Sequence, residues 1–119
     1  MLLIMVKKMD NRTVKVLGVE YTIEESNQAT DSNLDGVDGY CDTSIKHIVI
    51  EDMHPTGAIR EKKNLPEYKK SVLRHELIHA FLFESGLDCC SWANNEELVD
   101  WIAMQFPKLL DTFKAADAM

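Results

Sequence analysis

Apolar residues recur at every second position from Thr13 to Glu24: Val14 and Val16, then Val19, Tyr21 and Ile23. That period belongs to half-buried strands, and Leu17-Gly18 between the two runs reads as a turn or bulge. From Ser26 to Gly39 the alternation is lost. Asp, Asn, Ser and Gly dominate there, which is turn chemistry with little to bury. Tyr40-Cys41 and Ile45 to Glu51 can then pair as a second hairpin around Asp42-Thr43-Ser44. The run Ile45-Lys46-His47-Ile48-Val49-Ile50 has the β-branched density of a sheet strand.

The period changes after a charged loop from Met53 to Asn64. Asn64-Leu65-Pro66-Glu67 predicts a helix start, with Asn64 as the cap and a carboxylate in the first turn. This helix is expected to run to about Glu84 and stop at Gly86. Val72, Ile78, Leu82 and their neighbours make it apolar over most of its surface, which predicts burial. A second helix should begin near Asn94-Asn95 and carry Leu98, Trp101, Ile102 and Gln105. Pro107 is expected to break or kink it, leaving a short terminal helix from Lys108 to Ala115. Strands first and helices second is the order of an α+β domain: a small antiparallel sheet of two hairpins on a buried helix and a second C-terminal helix.

A length of 119 residues suits one domain, placed here at 13–119 behind a tail or edge strand at 1–12. The apolar opening Met1 to Val6 ends at Lys7-Lys8, the reverse of a secretory signal. Thirteen Lys and Arg against twenty Asp and Glu leave a net charge of −7, which argues against nucleic acid as the main partner. No apolar run approaches the ~18 residues of a membrane span. Three cysteines, Cys41, Cys89 and Cys90, are an odd number with two adjacent. A disulfide framework is therefore not expected, and a reducing cytoplasm is.

The chemistry concentrates on the first helix, at His75-Glu76-Leu77-Ile78-His79. Two His at i and i+4 project from one helix face and can grip a single metal ion. Glu76 sits beside them, placed to take a proton from a water that the metal activates. Polar side chains on a buried apolar helix also demand partners, since burying one unpaired costs ~1–3 kcal/mol. Catalytic zinc usually takes three protein ligands and keeps one position open, so two His leave the set incomplete. No His follows His79, and the next helix offers Asn95-Glu96-Glu97-Leu98-Val99-Asp100.

HExxH followed by NExxxD on a second helix resembles the gluzincin class of zinc metallopeptidases. The resemblance implies that Glu96 is the third zinc ligand and that Asp100 accepts a hydrogen bond from a ligand His. Helix geometry favours Glu96 over Glu97, because Glu96 shares a face with Asp100 whereas Glu97 meets Trp101 at i+4. Glu96 to Ala103 also resembles the ImmA/IrrE-type peptidases of mobile elements, with departures at Val99 and Ile102. The segment His75 to Phe83 (HELIHAFLF) is similar to SprT-type proteases, which take a later His that this chain lacks. These likenesses cover 71–103 and imply a minimal zincin-like domain of the kind found in phage and prophage genomes. They imply one zinc per chain, a peptide or protein substrate, and Glu76 as general base.

Other sites compete. Asp31-Ser32-Asn33-Leu34-Asp35-Gly36, with Asp42 in twelfth place, matches part of an EF-hand calcium loop; an ordinary Asp/Asn/Gly turn is the preferred reading. Cys89 or Cys90, between the two helices, could supply a thiolate as third ligand, or Cys41 from upstream as in a deformylase-like hydrolase, although buried structural thiols are the simpler account. The metal could also be structural, in a binding module without catalysis. Tyr40, His47, His54, Tyr68 and Arg74 are the candidate donors to an oxyanion. The peptidase resemblance further implies that the strand Ile45 to Glu51, which precedes the metal helix, is an edge to which a peptide can add by main-chain hydrogen bonds.

Overall fold

The computed structural model describes residues 11–59 and 61–119, so most of the expected tail at 1–12 lies outside the described residues. Strand β1 (Arg12–Val16) takes in the last of those tail positions and turns directly into β2 (Val19–Ser26). The connection is two residues long, Leu17-Gly18, with φ of 50° and 85°. Both angles are left-handed, as the primed turns that match strand twist require. Strands β3 (Gly39–Asp42) and β4 (His47–Glu51) form the second hairpin.

The fold is α+β as expected, but the sheet is mixed rather than antiparallel. Its order is β1-β2-β4-β3, and β2 runs parallel to β4, with Ile23 opposite Ile48 and Glu25 opposite Ile50. Hairpins alone set antiparallel pairs; the way two hairpins join is a tertiary choice. Here the parallel join aligns Tyr21, Ile23, Ile48 and Ile50, all 2% exposed or less, into one apolar patch with Val16 and Ala80. β4 also starts later than the alternation suggested. Ile45 lies in the turn and is 66% exposed. The Asp42 side chain accepts from Ser44 N–H at 3.0 Å, and Lys46 takes φ 58°, so the chain leaves the strand pattern until His47.

The 26–39 stretch does bury one residue. Ser32–Leu34 forms a single 3₁₀ turn capped by Asp31, and Leu34 is 2% exposed. This segment packs against β3.

Helix α1 (Leu65–Glu84) begins at the Asn64 cap, whose side chain accepts from Glu67 N–H at 3.3 Å. It ends before Gly86, at φ 77°. Its burial is narrower than expected: only Glu76 and Ala80 are fully buried, and Phe81 and Phe83 are exposed. A two-layer fold covers one face with the sheet and one flank with a second helix, leaving the rest open. At the far end of α1, Glu84 is tied to the sheet by the Tyr21 hydroxyl (2.7 Å) and the Lys46 ammonium (2.9 Å).

Helix α2 (Glu96–Ala115) runs through Pro107 without a break, contrary to expectation. Pro107 has no N–H to offer the carbonyl four residues back, which is that of Ala103. The Arg74 Nε–H from α1 donates to that carbonyl instead. The orphan acceptor is thereby satisfied, and the same bond fastens the middle of α2 to the turn of α1 that carries His75. Val99 and Ala103, each 1% exposed, are the buried residues of α2.

Candidate metal centre

His75 and His79 lie one turn apart on the flank of α1 that faces the start of α2. Asn95 caps α2 by accepting from Leu98 N–H at 3.1 Å, so the helix begins with Glu96 projecting at that flank. The result is a compact donor set. His75 Nε2 and His79 Nε2 are 3.2 Å apart. Glu96 places Oε2 3.4 Å from His75 Nε2 and Oε1 2.6 Å from His79 Nε2. Asp100, one turn further along α2, puts Oδ1 2.7 Å from His75 Nδ1. Glu97 is exposed and outside this cluster.

These separations test whether a zinc ion would fit. Four bonds of about 2.0 Å at tetrahedral angles put donor atoms about 3.3 Å apart. The separations of His75 Nε2 from His79 Nε2 and from Glu96 Oε2, 3.2 and 3.4 Å, match that spacing. The other Glu96 oxygen, Oε1, lies at hydrogen-bond length from His79 Nε2, 2.6 Å. The Asp100 carboxylate accepts from His75 Nδ1–H, the arrangement that frees Nε2 of a neutral ring for a metal. Two imidazole nitrogens and a carboxylate this close are the donor types of a borderline cation, and a shared proton joins them in its absence. Among the described residues, no other three His, Cys, Asp or Glu ligand atoms converge in this way.

Glu76 occupies a different position from the two His. It is on the core-facing side of α1, 8% exposed. Burial pushes its carboxyl above the ordinary 4.5, and the Glu96 charge adds to that, while His75 and His79 oppose it. Cys41 on β3 has its thiol pushed up to about 12, first by desolvation and then by the nearby Glu76 charge. A thiol held that firmly protonated is a packing residue, in keeping with its contact to the apolar core. Cys89 and Cys90 are exposed in the loop between the helices. None of the three cysteines joins the donor set.

The calcium-like loop does not gather its carboxylates. Asp31 caps the 3₁₀ turn and takes the Tyr40 hydroxyl; Asp35 accepts from Gln28; Asp42 is occupied by Ser44. These are the hydrogen bonds of turns. The expected oxyanion donors also disperse. His47 is held between Thr22 and Glu24 on the sheet face away from Ile48. Tyr40 points to Asp31, His54 is exposed in its loop, and Arg74 is engaged at Ala103. Tyr68 remains, on the same side of α1 as the two His. It donates to Asp38, and that bond, with burial and the charges of Asp38 and Asp100, pushes its hydroxyl up to about 12.

β4 is enclosed by β2 and β3, so it offers no edge to a peptide, contrary to expectation. Among the described residues the outer strands are β1 and β3, and of the two β3 packs more closely against α1. Glu51 N–H donates to Asp38 C=O at 2.9 Å, and antiparallel pairing alternates. The main-chain groups of Gly39 and Cys41 therefore face outward. Gly39 is required there, because a Cβ would lie 2.9 Å from Ile50 Cδ1 and 3.0 Å from the Val49 carbonyl.

The roles of Arg74 and Lys46 are absent from the sequence reading. A proline inside a helical pattern signals a need for a donor near the carbonyl four residues back, and Arg74 is that donor. No comparable signal exists for Lys46. No protein-family model matches the chain, and neither the curated proteins nor the solved structures yield a match.

Proposed function

We propose that this chain is a zinc-dependent peptidase of gluzincin type, with His75, His79 and Glu96 as ligands and Glu76 as general base. The observation that carries the reading is the convergence of three residues able to ligate a metal, one backed by Asp100, beside the buried Glu76 carboxyl. Zinc, when bound, supplies a Lewis acid that polarises a carbonyl and makes water acidic. The chain's own residues supply the rest. Asp100 keeps His75 in the tautomer that presents Nε2. Glu76, whose proton affinity burial raises, takes the proton of the attacking water and returns it to the leaving amine. The outward N–H and C=O groups of Gly39 and Cys41 suit an extended peptide added as a further strand beside Glu76. Three free thiols suit a reducing cytoplasm, and among the described residues no helix is long and apolar enough to cross a membrane.

The test is Glu76→Gln assayed for hydrolysis of a quenched peptide library. The expected result is a loss of about 10²–10⁴-fold in turnover with zinc content unchanged. Equal turnover in both proteins would remove Glu76 from the reaction. A second reading, a metal-binding module without catalysis, draws on the openness of the site: the Glu96 and Asp100 side chains are 68% and 63% exposed. It predicts bound zinc with no library member cleaved by the wild type.

A further inference from the structure

Cys89 and Cys90 stand apart from the site above, and their arrangement is unusual for neighbours in sequence. In an extended chain, adjacent side chains project to opposite sides. Here Cys90 adopts φ 60°, a left-handed conformation that side-chain-bearing residues seldom take. The turn brings both side chains to one side, with the two Sγ atoms 3.3 Å apart and both residues exposed. The loop is pinned around them. The Ser91 hydroxyl donates to Leu87 C=O at 2.6 Å and accepts from Ala93 N–H at 3.1 Å. Ala93 itself is buried, at 4% exposure.

We propose that Cys89-Cys90 is a chelating dithiol site for a single soft, thiophilic centre of narrow bite, with trivalent arsenic as the type case. The alternatives fit less well. A direct disulfide between neighbours is disfavoured, because Cα atoms across a trans peptide are about 3.8 Å apart, below the usual disulfide range. The peptide bonds of the described residues are all trans. A bridging atom bonded to both sulfurs at about 2.3 Å holds them 3.3 Å apart at an angle of about 92°. That angle suits a pyramidal three-coordinate centre. Tetrahedral zinc would need the sulfurs about 3.8 Å apart. The chain then carries two sites of different softness: nitrogen and oxygen donors between the helices, and a sulfur pair in the loop that joins them. The inference does not depend on the peptidase reading.

The reaction is a condensation without change of oxidation state. An organoarsenic(III) oxide takes the two thiol protons, its oxygen leaves as water, and two As–S bonds form. The test treats the reduced full-length protein with phenylarsine oxide and follows intact mass. One adduct per chain, less one water, is expected; it should survive excess 2-mercaptoethanol and be removed by dithiothreitol. Cys89→Ser and Cys90→Ser should each lose the monothiol-resistant adduct, while Cys41→Ser and His75→Ala keep it. Circular dichroism checks that each variant is folded. An adduct that monothiol strips from the wild type would overturn the proposal, as would its retention in either single-Ser variant. Absence of any adduct on the reduced wild type would also overturn it.

Discussion

The bond from Arg74 to the Ala103 carbonyl explains how a proline survives inside α2, and it can be tested as a coupling between residues on two helices. Ala103 is 1% exposed, so its carbonyl has no recourse to solvent once Arg74 is lost. Arg74→Met keeps the aliphatic stem and leaves that acceptor unsatisfied, at a cost of about 1–3 kcal/mol. Pro107→Ala returns an N–H to the same carbonyl and removes a residue that costs up to about 3 kcal/mol in a helix interior. In that background Arg74 is one of two donors, and Arg74→Met should cost only about 0.5–1.5 kcal/mol. The two substitutions should therefore couple by about 1 kcal/mol, with the double variant more stable than the sum of the single effects. Urea unfolding of all four proteins, followed by circular dichroism with a chelator present, measures this without interference from bound metal. Additivity within about 0.3–0.5 kcal/mol would refute the reasoning, since residues without a shared partner behave that way.

Two further outcomes follow from the site and from the far end of α1. Asp100→Ala should weaken zinc binding about 10-fold, the lower end for removal of an acceptor behind a ligand His, because its side chain is 63% exposed; competition with a chromophoric chelator reads this, and unchanged affinity would disprove the role. Glu84 is held below its ordinary 4.5, first by the Lys46 hydrogen bond and then by Tyr21. A depressed carboxyl contributes stability that is complete above the unfolded value and fades as pH falls through the folded one. Glu84→Gln should therefore lower stability at neutral pH and flatten its decline on acidification below about pH 4.5, measured by unfolding across pH 3–7; parallel curves would contradict it.

What the sequence revealed follows what local physics controls. Helix caps at Asn64 and Asn95, the stop at Gly86 and the hairpin at Leu17-Gly18 depend on neighbours in the chain, and all four are where the pattern put them. The His75/His79 spacing belongs to a single helix, so its face was legible too. Meeting Glu96 and not Glu97 depended on the phase of a second helix, which the i+4 relation to Asp100 supplied. Three features were not local. The parallel join of β2 to β4 depends on which apolar faces meet, and it puts β4 inside the sheet, leaving β1 and β3 as the outer strands among the described residues. The continuity of α2 through Pro107 depends on Arg74, far away in sequence. The anchoring of Glu84 by Tyr21 and Lys46 joins residues far apart in the chain, and no local pattern announces it.

The central claim is that His75, His79 and Glu96 together hold one zinc ion. Its most direct test is elemental analysis of the tag-free protein after zinc loading and removal of excess, on the wild type and on Glu96→Ala and Glu97→Ala. The account predicts about one zinc per chain in the wild type and in Glu97→Ala, and a clear loss in Glu96→Ala, since one removed ligand leaves too few for a stable site. Wild-type protein that retains no zinc, or a Glu96→Ala protein that retains as much as the wild type, would contradict it.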